Sequence, residues 1–310
     1  MDNVLFKPYL HSAEDLTLEQ VNAIFDKAQF FIDNYNPKEK FKDLLGVTVA
    51  LAFFEPSTRT RLSFELAAKH LSADILIFKS IGSSIVKGES FVDTIRTTDA
   101  MNVKMYVVRS VFAGVPQLIT QKTGKIVINA GDGKHEHPTQ ALLDALTLKQ
   151  HYKTFAGLKV CIVGDVLHSR VARSNITILR LLGAEVRLIA PGTLLPRYLK
   201  PWNIEILETI DEAIDWADAL IVLRLQKERM ENGVLPSLSE FVKFYQVTYE
   251  KFTKKDKIVL LHPGPVNYGI ELDYKLSDLS NCLINKQVTN GVFIRMAVMS
   301  LLQNNSVKCE

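Results

Sequence analysis

The chain contains 310 residues, 47% hydrophobic and 23% charged, with a formal net charge of +3. This length and composition are typical of a globular protein with two domains, and the small net charge argues against nucleic-acid binding. No apolar run approaches the ~20 residues that a membrane-spanning helix needs. Three widely spaced cysteines without zinc spacing, and an N-terminus unlike a signal peptide, predict a reduced cytoplasmic protein without a metal site.

The first predicted elements are a helix and a buried strand. Residues 17–33 carry apolar side chains at helical spacing, which predicts an amphipathic helix. Residues 47–54 form a short apolar run, typical of a parallel strand that is buried on both faces. Pro56 ends this strand, and a second helical pattern follows. Ser57 and Thr58 therefore lie where a helix begins, and their hydroxyls could cap it.

The segment Ser57-Thr58-Arg59-Thr60-Arg61 predicts an anion site at that helix start. The first turn of a helix has free backbone N–H groups and the positive end of the helix dipole. Hydroxyl and guanidinium donors there would complete a cradle for phosphate or another oxyanion. The alternative is a capped helix with two solvated arginines. Two cations in the first turn oppose the dipole, so we favour the anion site.

Three more strands are predicted in the first half of the chain. They cover residues 74–78, 103–108 and 126–130. Arg109 follows the second of them directly. Pro138 starts a long helix that runs to about Tyr152, so His137 and Gln140 lie just before and within its first turn. These positions follow buried strands, where parallel sheets bind ligands.

The second half repeats the alternation of strands and helices. Its predicted strands cover residues 159–163, 185–190, 219–223 and 258–261. Only one glycine, Gly164, follows the first of them, so the GxGxxG fingerprint of a dinucleotide site is absent. Arg170 lies where the phosphate loop would be. Arg224 and Gln226 alternate with Leu225 after the third strand and should point to one side.

We therefore predict an α/β protein with two parallel-sheet, three-layer domains joined by a long helix. The domains are predicted at residues 1–140 and 150–285, with a C-terminal helix, residues 288–310, packing back on the first. The candidate residues follow strands and should gather at the carboxyl edges of the sheets. Unpaired cations gathered there would repel one another, which implies anionic ligands. These candidates are Arg59, Arg109, His137, Arg170, Arg224 and Pro263.

Several motifs resemble those of the transcarbamoylase family. They are Ser57-Thr58-Arg59-Thr60-Arg61, His137-Pro138-Thr139-Gln140 and His262-Pro263-Gly264-Pro265-Val266-Asn267. Two features resemble the aspartate branch rather than the ornithine branch: Ser83 and Lys87 in a Ser-x-x-x-Lys-Gly-Glu loop, and the stretch Arg-x-Gln-Lys-Glu-Arg that starts at Arg224. On composition alone the first of these would be a plain surface loop. Tyr268 departs from the family, which usually has arginine there.

The resemblance implies transfer of a carbamoyl group from carbamoyl phosphate to L-aspartate, in de novo pyrimidine biosynthesis, without a cofactor. It implies that phosphate is bound by Ser57, Thr58, Arg59 and Thr60. It implies that the carbonyl oxygen is polarised by Thr60, Arg109 and His137, and the carbamoyl nitrogen oriented by Gln140. For aspartate it implies Arg170, Arg224 and Gln226, with Pro263 and Gly264 in the adjoining loop, and Ser83 and Lys87 from a neighbouring subunit.

The family's homotrimer with shared active sites is expected, while a regulatory chain or a dihydroorotase-like partner remains open. Three other functions also remain open. The first is a transcarbamoylase for ornithine or an N-modified ornithine. The second is a nucleotide-binding Rossmann module, which the missing GxGxxG disfavours. The third is an inactive scaffold in a pathway complex, which the intact Arg59, His137 and Lys87 disfavour.

Overall fold

The computed structural model describes residues 4–78, 91–198, 202–226 and 237–307. The chain forms two compact units, Met1–Leu142 with Thr289–Glu310, and Leu143–Val288. The chain passes between these units within two helices, α5 (Pro138–Tyr152) and α10 (Ile284–Val307). The predicted domain limits at residues 140, 150 and 285 stay predictions.

The first unit contains a five-stranded parallel sheet. Its strands are β1 (Tyr9–Leu10), β2 (Thr48–Phe53), β3 (Asp74–Phe78), β4 (Met105–Ser110) and β5 (Ile126–Asp132), in the order β1-β5-β4-β2-β3. Its helices are α1 (Leu18–Asp33), α2 (Thr58–His70), α3 (Phe91–Ala100) and α4 (Val115–Thr123). The central strands β2, β4 and β5 are buried along nearly their whole length, as their continuous apolar runs predict.

Helix α1 confirms the first helical prediction. Thr17 and Gln20 form a capping box that fixes its start. All five side chains predicted on its apolar face are buried: Val21, Ile24, Phe25, Ala28 and Phe31.

The second unit contains a four-stranded parallel sheet. Its strands are β6 (Lys159–Val163), β7 (Glu185–Ile189), β8 (Ala219–Val222) and β9 (Val259–Leu261), in the order β7-β6-β8-β9. Its helices include α6 (Arg170–Leu181), α7 (Ile210–Trp216), α8 (Leu238–Tyr245) and α9 (Tyr249–Phe252). The fold class predicted from the sequence, two parallel-sheet α/β domains, is confirmed. The short elements β1, α7, α8 and α9 were not predicted.

The C-terminal helix α10 begins at Ile284, four residues before the predicted start at residue 288. Its later turns belong to the first unit. The Arg295 guanidinium donates to the Ser63 hydroxyl at 2.6 Å and lies over the Phe64 ring at 4.9 Å. The Ser300 hydroxyl donates to Asp43. Both partner segments come from the first unit, so the helix packs back on that unit as predicted.

Each sheet has one point where the chain reverses the direction in which it adds strands. In the first unit β3 lies on one side of β2, while β4 and β5 lie on the other. In the second unit β7 lies on one side of β6, while β8 and β9 lie on the other. Parallel sheets bind ligands at such switch points, beyond the carboxyl ends of the strands. Ligand sites are therefore expected at the β2–β4 and β6–β8 ends.

Among the described residues, no helix is both long and apolar enough to cross a membrane.

Candidate functional site

The turn after β2 places Ser57 at the N-cap of α2, as predicted. Its hydroxyl makes no capping hydrogen bond, so the Ser57 cap of the less favoured alternative is not formed. The first turn contains no acidic residue to balance the helix dipole. Thr58 and Arg59 are exposed, and Thr60 is half-buried. The helix start thus presents hydroxyl, guanidinium and backbone donors to solvent, as an anion site requires.

Arg109 lies on β4, across the switch point from this turn, and pairs in register with Phe53. Its Nε is 3.2 Å from Glu55 Oε2, and one of its terminal N–H groups donates to the Ala130 carbonyl at 3.2 Å. The sequence argument treated this guanidinium as unpaired, and Glu55 corrects that premise. A guanidinium carries five N–H donors in a planar fork, so Glu55 orients Arg109 while the group can still bind a ligand oxygen.

The loop between β5 and α5 holds His137 and Gln140 at the start of that helix. Both side chains are buried, and the Gln140 N–H donates to the His137 carbonyl at 3.0 Å. The prediction placed β5 at residues 126–130, but it continues to Asp132. The two residues added to the strand carry it directly into this loop.

Asp132 holds the loop in place from inside. Its buried carboxylate accepts from the Gly114 N–H at 2.9 Å, the Glu136 N–H at 3.1 Å and the Asn129 amide at 2.8 Å. Its oxygens also lie 3.2 Å from His135 Nδ1. Burial alone would raise the pKa of Asp132, but the hydrogen bonds from His135, Asn129 and Gly114 outweigh it and the pKa is lowered.

Two predicted site residues, Ser83 and Lys87, lie outside the described residues. The same holds for the Lys-Glu-Arg part of the stretch that starts at Arg224.

In the second unit, the turn after β6 carries Arg170 at the start of α6. Ser169 caps this helix by accepting from the Ala172 N–H at 3.1 Å. The Arg170 side chain is only 4% exposed. Gly164 begins the turn with φ +109°, and an added Cβ would lie 3.2 Å from the Leu223 carbonyl oxygen. This position needs glycine for both reasons, which explains the single glycine noted in the sequence.

Asp165 joins this turn to the segment after β8. Its buried carboxylate lies 2.8 Å from His168 Nδ1 and accepts from the backbone N–H groups of His168 at 3.2 Å and Gln226 at 3.3 Å. The Gln226 amide in turn donates to the His168 carbonyl at 3.2 Å. Burial raises the pKa of Asp165, although the interactions with His168 and the Gln226 N–H oppose the shift. The loops that carry Arg170 and Gln226 are thereby fixed to each other across the β6–β8 switch point.

The alternation predicted after β8 is present. Leu225 is fully buried, while Arg224 and Gln226 on either side are partly exposed. The prediction that these two polar side chains point to one side stays a prediction, but both are more exposed than the leucine between them.

The segment after β9 contains Pro263 and Gly264, with a cis bond between Gly264 and Pro265. His262 is buried, its N–H donates to the Gln287 side chain at 2.9 Å, and its Nδ1 accepts from the Gly264 N–H at 2.8 Å. Because the prolines have no N–H and these donors turn inward, the segment offers mainly carbonyl oxygens to a ligand.

Sequence reasoning missed the buried partners that orient the predicted residues. Glu55 lies just before Pro56 and Asp165 directly after Gly164, but neither was predicted to have a role. Gln287, near the start of α10, gave no signal at all. An acidic residue directly after a buried strand could have drawn attention to Asp165 and to Glu55. Among the described residues, no group of three or more His, Cys, Asp or Glu side chains could hold a metal ion.

Most of the chain matches two models of one protein family. Residues 9–150 match the family described as aspartate/ornithine carbamoyltransferase, carbamoyl-P binding domain. Residues 156–302 match the aspartate/ornithine carbamoyltransferase, Asp/Orn binding domain. The chain is 48% identical over 299 residues to the aspartate carbamoyltransferase catalytic subunit of Carboxydothermus hydrogenoformans, and the alignment covers 96% of each chain.

Solved structures agree. The aspartate transcarbamoylase from Trypanosoma cruzi, in complex with carbamoyl phosphate and aspartate, is similar with a TM-score of 0.87 and 29% identity over 96% of this chain and 97% of that one. The ornithine carbamoyltransferase from Thermus thermophilus is similar with a TM-score of 0.83 and 26% identity over 96% and 99%. The chain belongs to the aspartate/ornithine carbamoyltransferase family.

Proposed function

We propose that this member of the family transfers the carbamoyl group of carbamoyl phosphate to the amino group of L-aspartate. The products are N-carbamoyl-L-aspartate and phosphate, in de novo pyrimidine biosynthesis. The observation that carries the proposal is the 48% identity, over 96% of each chain, to a catalytic subunit named for aspartate. Carbamoyl phosphate and aspartate are also the ligands of the similar T. cruzi structure.

The phosphate of carbamoyl phosphate is assigned to the start of α2. Ser57, Thr58, Arg59 and Thr60 supply hydroxyl, guanidinium and backbone N–H donors there. The Ser57 hydroxyl is not used as a cap, which supports a role toward a ligand. Charge-assisted bonds from a guanidinium to phosphate are about twice as strong as neutral ones, so Arg59 should contribute most.

The carbonyl oxygen of the carbamoyl group is assigned to Thr60, Arg109 and His137. Negative charge develops on this oxygen when the amine attacks, and donors already in place stabilise it. Glu55 supports this role because it holds the Arg109 guanidinium in one orientation. The side-chain amide of Gln140 is assigned to the carbamoyl nitrogen.

Aspartate is assigned to the second unit. Arg170 and Arg224 follow neighbouring strands at the β6–β8 switch point, and each can bind a carboxylate. The Gln226 amide donates to His168, so its carbonyl end is the part that suits an ammonium or amine. The carbonyls of Pro263 and Gly264 are further acceptors for N–H groups. Ornithine would instead need an acidic or amide site for its side-chain ammonium.

The reaction forms one C–N bond and breaks one C–O bond. The aspartate amine attacks the carbamoyl carbon, the bond to the phosphate oxygen breaks, and the amine loses a proton that the departing phosphate can accept. Holding two substrates in the correct orientation supplies much of the rate, on the order of 7–11 kcal/mol. This chemistry needs no cofactor.

We further propose that the protein acts in the cytoplasm as a homotrimer whose active sites are shared between subunits. Ser83 and Lys87 would then serve the site of a neighbouring subunit. Exposed apolar side chains on one side of the first unit support a subunit interface there. They are Leu62 and Leu66 on α2, and Ile77 on the edge strand β3, against which α2 packs.

The decisive experiment measures product formation from carbamoyl phosphate with aspartate and, in parallel, with ornithine. Turnover with aspartate alone is the expected result. Turnover with ornithine alone would keep the phosphate assignment and overturn the aspartate assignment. No product with either amino acid would refute the proposal. It would favour an N-modified ornithine as the substrate or, failing that, an inactive scaffold.

Shared sites are tested by mixing two inactive variants, Lys87→Ala and His137→Ala. Mixed trimers should recover part of the activity, because some sites then receive both intact residues. Intact mixed trimers without activity would place Lys87 in its own subunit's site.

A further inference from the structure

The segment of residues 262–267 is held from behind by buried side chains of the second unit. Three of its backbone N–H groups have side-chain acceptors. The His262 N–H donates to Gln287 Oε1 at 2.9 Å, the Gly264 N–H to His262 Nδ1 at 2.8 Å, and the Asn267 N–H to Glu271 Oε1 at 2.6 Å. His262, Glu271 and Gln287 are each at most 2% exposed. The backbone geometry of residues 262–267 therefore depends on buried side chains that accept its N–H groups.

Asp144 is the centre of this buried network. It lies on α5 and is 0% exposed. One carboxylate oxygen accepts from the Gln287 amide at 2.7 Å, and the other accepts from the Asn175 amide at 2.8 Å. A continuous chain of hydrogen bonds thus runs from α6 through Asp144 and Gln287 to the first residue after β9.

The donor and the acceptor of each hydrogen bond in this series are fixed. The His262 backbone N–H can only donate, so the Gln287 atom facing it must be the amide oxygen. The Gln287 NH₂ group therefore faces Asp144, which must accept. A carboxylate does this with both oxygens. These hydrogen bonds therefore form in one arrangement only, and loss of either side chain removes a hydrogen bond from the other at a buried site.

We infer that Asp144 and Gln287 are positioning residues, which set the place of Pro263 and Gly264 for the amino-acid substrate. The inference rests on the proposed function, because it assumes that this segment contacts substrate. Displacement of a substrate-contacting group by about 1 Å can cost on the order of a hundredfold in rate even when the mutation is remote.

The main test compares Gln287→Met, Asp144→Leu and the double variant with the wild-type enzyme. Steady-state kinetics are normalised to folded protein by urea denaturation. We expect Gln287→Met to raise the KM for aspartate and lower kcat, by on the order of tenfold or more in kcat/KM. Inhibition by inorganic phosphate, whose site is assigned to the first unit, should change less than about twofold.

The double variant tests whether the two residues act as one unit. If Asp144 acts through Gln287, the double variant should lose no more kcat/KM than Gln287→Met alone. It should also be more stable than Gln287→Met, because that single variant keeps a buried carboxylate that has lost the Gln287 amide, and the double variant does not. Strictly multiplicative losses would contradict the inference.

Two further variants separate positioning from general damage. Thr147→Val is the matched control, since Thr147 is also buried on α5 but donates to the Leu143 carbonyl of its own helix. It should keep wild-type kinetics. Asp144→Asn is the conservative variant. It retains an acceptor oxygen for the Gln287 amide and gives up only the hydrogen bond from the Asn175 amide, which also donates to the Val171 carbonyl at 3.1 Å. It should recover most of the activity lost in Asp144→Leu.

Three further results would overturn the inference. One is unchanged KM and kcat per folded molecule in Gln287→Met. Another is a parallel loss of phosphate inhibition, which would mean general disruption. If Gln287→Met does not fold, it is replaced by Gln287→Asn, which shortens the side chain by one methylene. Unchanged aspartate kinetics in Gln287→Asn would be the third result. An inactive wild-type protein would instead refute the proposed function, so the two failures are distinguishable.

Discussion

Two helices, α2 and α6, start at the switch points of the two sheets. Each has a serine at its N-cap, but the two serine hydroxyls act differently. Ser57 occupies the N-cap of α2 without making a capping bond, and the residues behind it are partly exposed. Ser169 occupies the N-cap of α6 and does cap it, and Arg170 behind it is buried. The first helix does not use its N-cap hydroxyl in its own structure, whereas the second uses its N-cap hydroxyl to complete its first turn.

The difference between the starts of α2 and α6 follows from the ligand that each would bind. A phosphate can be held by an uncapped helix start, since backbone N–H groups and the dipole are already aimed at it. An amino acid with two carboxylates and one amine needs donors and acceptors at separate, fixed points. The second unit fixes them by burying the carboxylates of Asp165 and Asp144 behind its loops. Substitutions at the start of α2 should therefore lower activity by removing ligand contacts. Substitutions near α6 should lower it by removing buried side chains that hold the loops in place.

The largest effect is expected from Arg59→Ala at the open helix start. Loss of its charge-assisted bonds should lower kcat/KM for carbamoyl phosphate on the order of 10³-fold with little change in stability. The matched control is Arg61→Ala, because Arg61 is two positions further on and projects from the opposite side of the helix. Steady-state kinetics would measure both. Near-normal turnover of Arg59→Ala would refute the phosphate assignment.

A smaller effect, on the order of a hundredfold in kcat/KM for aspartate, is expected from Asp165→Ala. This substitution removes the bridge between the Arg170 turn and Gln226, so the KM for aspartate should rise while phosphate inhibition persists. Asp165→Asn keeps one acceptor oxygen and should lose less. Equal losses of kcat/KM for aspartate and for carbamoyl phosphate would mean that the loops with Arg170 and Gln226 do not serve the amino acid alone.

The two N-cap serines give a direct test of the comparison. Ser169→Ala should lower the free energy of unfolding of the protein by about 1 kcal/mol, because the Ala172 N–H loses its acceptor. Ser57→Ala should change that free energy by less than about 0.5 kcal/mol but weaken inhibition by phosphate. Urea denaturation and inhibition kinetics measure the two quantities. A stability loss of similar size at both positions would contradict the comparison.

The smallest effect concerns acid stability and Asp132. Its folded-state pKa lies below the usual value of 3.8. Between the two values the unfolded chain binds more protons than the folded protein, so stability is present above the unfolded pKa and is lost as pH falls through the folded one. Asp132→Asn should flatten this acid limb of the unfolding free energy, measured by urea denaturation from neutral pH downwards. An unchanged acid slope would mean that other carboxylates produce it.

The sequence by itself determined the fold class, most strand positions and the three motif-bearing turns. These follow from local patterns: continuous apolar runs mark buried parallel strands, and proline or hydroxyl residues mark the turns after them. Helical spacing likewise identified the five buried side chains of α1. The sequence left open whether Ser57 caps its helix, because a cap depends on a rotamer that residue type does not specify.

Only the tertiary structure decided which buried groups support the candidate residues. Glu55 faces Arg109 because β2 and β4 are neighbours, and Asp165 reaches Gln226 because β6 and β8 are neighbours. Gln287 meets Asp144 across 143 positions of the chain. A carboxylate or an amide carries no periodic signal of its own, so its partner is defined only when strand order and helix packing bring distant segments together.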